Sequence, residues 1–131
     1  MPNIILGYTA WFHDSSACLI IDGEVICFAE EERFSRQKHT PEFPEKAIEY
    51  CLKQGGDLTI DDVDTVVYYI DTKEHLTASI LHVLKFLPKS LNLFKKGSTV
   101  MPVGRRTLRL INNKREILKK IGGKGTFNYI G

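Results

Sequence analysis

Two short stretches hold most of the side chains that could do chemistry. In "FHDSSACLI", His13, Asp14, Ser15 and Ser16 fall in one bend between apolar runs. A histidine titrates near neutrality and can take a proton from a hydroxyl. The adjacent carboxylate can orient the imidazole or bind a hydroxyl. Small residues let backbone N–H groups approach a phosphate, so Ser15 and Ser16 are candidates for an anion cradle. The second stretch, "EEERFSRQKH", puts three acids ahead of Arg33, Arg36, Lys38 and His39. Arg36 offers a planar fork and Lys38 a point charge for a phosphate or carboxylate. Each stretch also has a plain reading. Asp14, Ser15 and Ser16 can satisfy a loop backbone while His13 stands idle, and acids can pair with bases on a solvated face.

The elements that must position these residues are legible around them. "NIILGYT" (3–9), "ACLII" (17–21) and "EVICFA" (24–29) are β-prone runs. Asp22-Gly23 between the last two signals a tight hairpin, because that turn needs positive φ. The chain therefore opens as an antiparallel meander. Residues 44–54 predict a helix, with Pro44 in its first turn, Gly55-Gly56 as its stop, and Ala47, Ile48, Cys51 and Leu52 as its apolar stripe. Thr59 and Asp62 are spaced as a capping box. Residues 64–70, β-branched and aromatic, predict a strand that follows a helix and so joins the first sheet by a crossover.

Farther along, 74–87 predicts a helix with Leu76, Ile80, Leu84 and Leu87 on one face, ended by Pro88. Residues 89–104 read as loop. Residues 105–121 read as a basic helix with Leu108, Ile111, Ile117, Leu118 and Ile121 available for burial, and 125–130 as the start of a strand. His75 and His82 read as ordinary histidines of the 74–87 helix.

At 131 residues, with 43% apolar and 26% charged residues, the chain fits one ordinary domain with a real core. The net charge of +2 hides a division. Residues 1–84 carry six Lys/Arg against fifteen Asp/Glu, or −9, and 85–131 carry twelve against one, or +11. A basic half can mark an anionic partner. The 105–121 segment has no interleaved aromatics, so nucleic acid is not the expected one. Cys18, Cys27 and Cys51 form no CxxC pair and read as free thiols in a reducing compartment. The N-terminus lacks a signal-peptide pattern and no run reaches the roughly 18 residues of a membrane span. A cytoplasmic protein with no membrane partner is expected.

Taken whole, "ILGYTAWFHDSSACLIIDGEVICFAEEERFSRQKHTPEFPEKAIEYCL" resembles the N-terminus of the carbamoyltransferase family that includes the nodulation and antibiotic O-carbamoyltransferases. The strand into "FHDSSACLI", the "DGEV" hairpin, the "EERFSRQKH" block and "FPEKAIEYCL" carry the likeness over about 50 residues. It implies an α/β fold, part of an actin-like, sugar-kinase-like (ribonuclease H-like) domain related to the tRNA threonylcarbamoyl transferases. Its mixed sheet would open with an antiparallel hairpin. It implies that residues 1–131 are the N-terminal portion of that domain, the rest and a C-terminal adenylate-forming domain lying outside.

The implied reaction joins carbamoyl phosphate and ATP into carbamoyl adenylate and passes the carbamoyl group to a hydroxyl of a small-molecule acceptor. By the likeness, His13 is the base that deprotonates this hydroxyl and Asp14 orients the site. Ser15 and Ser16 lie on a phosphate-binding hairpin, and Arg36 and Lys38 hold the anionic part of the intermediate. A metal ion, iron, is implied as well. Its histidine motif is expected just after the strand at 125–130, so none of His39, His75 and His82 sits in that context and no metal ligand is assigned here. The chain stops at Gly131 as a strand begins, which reads as a cut, and the segment alone is expected to be inactive. Two alternatives remain: a sugar kinase on the same fold, and a non-enzymatic binding module using the basic half.

Overall fold

The structure, a computed structural model, describes residues 1–87 and 112–131. They fall into two compact units, Met1–Tyr69 with Lys114–Gly131, and Ile70–Asn113.

The first unit is built on one mixed sheet. Strand β1 (Ile4–Thr9) buries Ile4, Leu6 and Tyr8 and leaves the residues between them part-exposed, the period-2 signature of a half-covered strand. It pairs antiparallel with β2 (Ser16–Ile21), Leu6 opposite Leu19 and Thr9 opposite Ser16. β2 pairs in turn with β3 (Glu24–Glu30). Asp22 and Gly23 join them with φ of 50° and 85°, as a two-residue hairpin turn of this hand demands. The register slips between Leu19 and Ile20, because Ile26 is an extra residue in β3. The strand order is β3-β2-β1-β4-β5.

A short helix α1 (Glu32–Ser35) follows β3, then the longer α2 (Glu45–Gln54). The apolar stripe of α2 packs on β2 and β3, with Ala47, Ile48 and Cys51 fully buried. Each fully buried Leu or Ile here, such as Leu6, Leu19 or Ile48, contributes about 1.5–3 kcal/mol. Pro44 caps this helix and does not fill its first turn. The capping box forms as expected: Thr59 and Asp62 bond reciprocally around the 3₁₀ turn Ile60–Asp62. Strand β4 (Thr65–Tyr68) then returns parallel to β1, the predicted crossover. Asp64 fixes its entry, since its carboxylate accepts from the Ile4 N–H at 2.8 Å.

The end of the chain adds α4 (Asn113–Ile121) and β5 (Asn128–Ile130), the latter parallel to β4. Ile117 and Phe127 are buried, while Leu118 and Ile121 are half-buried. The Asp61 carboxylate accepts from the N–H groups of Lys124 and Gly125, and so ties the loop before β5 to the 3₁₀ turn.

In the second unit, α3 (Thr72–Lys85) matches the predicted helix. Ile80 and Leu84 lie more than half exposed, and Leu87 is exposed just past the helix. Periodicity shows which face is apolar, not whether anything covers it. Pro88, the 89–104 loop and positions 105–111 of the basic helix lie outside the described residues. Among the described residues no helix is long and apolar enough to cross a membrane.

The mixed sheet that opens with an antiparallel hairpin, and the helices with it, agree with the α/β class expected from the sequence.

Candidate functional site

The bend between β1 and β2 is a six-residue connector, 10–15, rather than a tight turn. Its middle is held down by buried residues. Trp11 is buried, has φ of 74°, and donates its N–H to the Pro41 carbonyl at 2.8 Å. Its ring lies 6.0 Å from that of Phe43, which meets Tyr8 edge-on at 5.7 Å. The buried Tyr68 hydroxyl donates to the Ala10 carbonyl at 2.7 Å. Thr9 closes the turn from the other side, donating to the Asp14 carbonyl and accepting from the Ser16 N–H.

Ser15 completes the clamp. It is buried, its hydroxyl donates to the Glu42 carbonyl, and its N–H donates to the Thr40 carbonyl. Three bonds therefore join the connector to residues 40–42, and His39 immediately precedes that segment.

The result brings His13, Asp14 and His39 together, although 25 positions separate Asp14 from His39. Asp14 stands at φ 59° and His39 at φ 54°. One carboxylate oxygen of Asp14 lies 2.9 Å from Nδ1 of His13 and the other 2.7 Å from Nδ1 of His39. The His39 N–H donates to a Glu32 carboxylate oxygen at 3.2 Å. Both imidazoles are open to solvent, with side chains 78% and 74% exposed, while Asp14 is 49% exposed.

The bonds from His13 and then from His39 hold the Asp14 carboxyl below the usual carboxylate range. The bond and charge of Asp14 raise His39 above the usual histidine value. An ionised carboxylate can only accept, so each Nδ1 carries a proton toward Asp14, and a neutral His13 then keeps the Nε2 lone pair free. A base presented this way has the geometry of a histidine oriented by aspartate.

The other predicted residues sit nearby in different roles. Ser15 Oγ is committed to Glu42, whereas Ser16 Oγ lies 3.2 Å from Thr9 Oγ1 in a part-buried pair. Arg36, at φ 56°, forms the left-handed cap of α1, and its side chain and that of Lys38 are exposed. The acidic run divides its labour. Glu30 pairs with Arg33 at 3.7 Å, Glu32 holds the His39 backbone, and Glu31 is buried. The Glu31 carboxylate accepts the Ala47 N–H in the first turn of α2 at 2.8 Å, and burial raises its pKa.

Asp14, Glu32 and His39 are the one set of three among the described residues whose ligand atoms fall within 4.8 Å of one another. They do not fit the implied iron as they stand. Two ligand atoms on one ion at ordinary bond lengths sit roughly 3 Å or more apart. Asp14 and His39 are closer, and a proton joins them. Sequence reasoning missed His39 as a partner of Asp14. A depression at the end of α2, lined by Glu49, Lys53, Asp57 and Asp61, shares no residue with this cluster.

Comparison with known proteins agrees with the residue pattern. The family described as carbamoyltransferase N-terminus matches residues 4–121. An uncharacterised protein of Synechocystis is 38% identical over 90 residues, covering 69% of this chain and 14% of the relative. The nodulation protein NolNO of Sinorhizobium fredii is 42% identical over 69 residues, which is 53% of this chain and 9% of NolNO. An uncharacterised 19.2 kDa protein of Rhizobium etli is 38% identical over 60 residues, or 46% of this chain and 34% of the relative. The chain thus spans about a third or less of the length of each.

Proposed function

Since the chain belongs to the carbamoyltransferase N-terminus family, we propose that it serves the transfer of a carbamoyl group from carbamoyl adenylate to a hydroxyl of a small-molecule acceptor. The adenylate would be made from carbamoyl phosphate and ATP in a C-terminal domain of a longer protein, and the transfer would take place on an actin-like domain to which this chain belongs. The observation that carries the reading is the exposed His13 ring with Nδ1 bound to Asp14.

A hydroxyl is a poor nucleophile until a base takes its proton. His13 Nε2 accepts that proton as the oxygen attacks the carbamoyl carbon. The bond from this carbon to the adenylate oxygen breaks, and AMP leaves with the electron pair. Asp14 steadies the imidazolium that forms. Arg36 and Lys38 supply positive charge for the phosphate of the intermediate. Ser16 lines the hairpin beside it. No step is assigned to a metal ion, and any iron site would lie outside these residues.

The test uses the full-length protein with ATP, carbon-13 carbamoyl phosphate and a small-molecule extract of its source cells. The product should gain the mass of one labelled carbamoyl group. His13→Asn should lose that product while still consuming ATP. Unchanged transfer in His13→Asn would remove His13 as base, and a phosphoryl gain in place of the carbamoyl would make the protein a kinase.

A further inference from the structure

We propose that His39 is a positioning residue for the transfer: by donating Nδ1–H to one oxygen of Asp14, it turns the other oxygen to His13 and fixes the tautomer that leaves His13 Nε2 free. The inference rests on the reading of His13 as base. It is nonetheless tested by a property that does not depend on turnover.

The geometry is specific. Asp14 has two carboxylate oxygens, and each has its own imidazole, at 2.9 Å and 2.7 Å. A carboxylate held at one oxygen alone can swing about its side-chain bond. Held at both, it has one orientation left. His39 is itself fixed from behind, because its backbone N–H is bound to Glu32 and the next residue, Thr40, accepts the Ser15 N–H. The connector carrying Asp14 and the segment carrying His39 are therefore locked to each other before the rings meet.

The two histidines are not interchangeable. The groups facing His39 are Asp14 and Glu32, which favour its charged form, and its neighbour Lys38, which opposes it. The balance favours protonation, which suits a donor better than a base. The contact adds little to stability, as exposed ion pairs seldom do. What it supplies is orientation, in the way that outer partners orient catalytic or ligating histidines.

The experiment is nitrogen-15 NMR of the histidine side chains in the 131-residue chain, above the titration range, comparing three variants. His39→Gly removes the ring and accepts positive φ freely. His39→Asp has no donor and tolerates the same backbone. His39→Asn places an amide N–H the same number of bonds from the backbone as Nδ1, and also tolerates this φ.

Neutral His13 should be in the Nδ1–H form in the wild type and in His39→Asn. In His39→Gly and His39→Asp it should lose that form and become predominantly Nε2–H. If glycine prevents folding, the Asp and Asn pair decides alone. Retention of the Nδ1–H form in both donor-free variants would overturn the proposal, as would its loss in His39→Asn. A purely structural His39 would leave the His13 tautomer unmoved in all three. If the tautomer behaves as stated while His13→Asn still transfers the carbamoyl group, the positioning stands and the base assignment falls.

Discussion

Replacement of Glu31 tests how the fold holds the site. The side chain is buried, and its carboxylate accepts the Ala47 N–H at 2.8 Å at the N-terminal end of α2. Its backbone does further work: Glu31 N–H donates to the Ser15 carbonyl, and its carbonyl accepts from Phe34 and Ser35. In Glu31→Ala the backbone bonds persist and the carboxylate bond is lost. A hydrogen bond to a charged group contributes about 1.5–3 kcal/mol, and charge at a helix N-terminus adds about 0.5. Against this, removing the buried carboxylate relieves its desolvation, so the bond is only partly realised as stability.

The net expectation is a loss of about 1–2 kcal/mol, or roughly 3–10 °C in Tm for a chain of this size. Glu31→Gln keeps an acceptor and should cost less than about 1 kcal/mol. Trp11, the one tryptophan, is buried within the connector, so its fluorescence during urea unfolding reports on this unit. The pH dependence carries its own sign. Burial raises the native Glu31 pKa above 4.5. Between that value and the raised one the native state holds more protons than the unfolded state, so its stability falls as pH rises. The wild type should lose ground to Glu31→Gln across this window. A Glu31→Ala variant within about 0.3 kcal/mol of wild type, or a slope of opposite sign, would refute the assigned role.

Two further outcomes are expected. His39 should titrate above 6.5 by NMR, and Asp14→Asn should return it toward 6.5, because Asp14 is the first cause of its shift. The contact should contribute above the usual Asp14 value of 3.8 and be lost as pH falls through its lowered native value. On the His39 side it should contribute below 6.5 and be lost as pH rises through the raised value. Of the three free thiols, part-exposed Cys18 should react first with a disulfide reagent in the folded chain. Cys27 and Cys51 lie sulfur to sulfur at 3.3 Å in the core, with Cys51 pushed up to about 12, and should react only on unfolding. Equal rates for all three would contradict that burial.

Much of the first unit was legible because its signals are local. Asp22-Gly23 specifies its turn through φ alone, Thr59 and Asp62 carry their capping box within four residues, and all four predicted stripe residues of α2 are buried. What escaped was tertiary. Helix α1 is one turn long and too short to show a period. Glu31 looks like its two acidic neighbours in the sequence, and only the approach of α2 distinguishes it. His39 meets Asp14 because backbone bonds at Trp11 and Ser15 dock one loop on another, and loop docking leaves no periodic trace. The apolar face of α3 was legible as a face, but its exposure was not, because periodicity does not say what covers a face.

Those same docking bonds explain how exposed residues can hold a defined geometry. His13, Asp14 and His39 have little packing of their own, so rotamer entropy opposes any fixed arrangement. The arrangement is instead set one layer down, where Trp11, Ser15, Phe43 and Glu31 are buried and bonded. Ser15 is the junction, since its hydroxyl reaches Glu42, its N–H reaches Thr40, and its carbonyl receives Glu31. A serine first read as a phosphate contact thus joins β2, α1 and the segment after His39. Substitutions there should disturb the geometry around His13 without removing either imidazole or the Asp14 carboxylate. The division places exposed side chains on a backbone fixed by the core, which lets the rings stay open to solvent while their nitrogens keep one orientation.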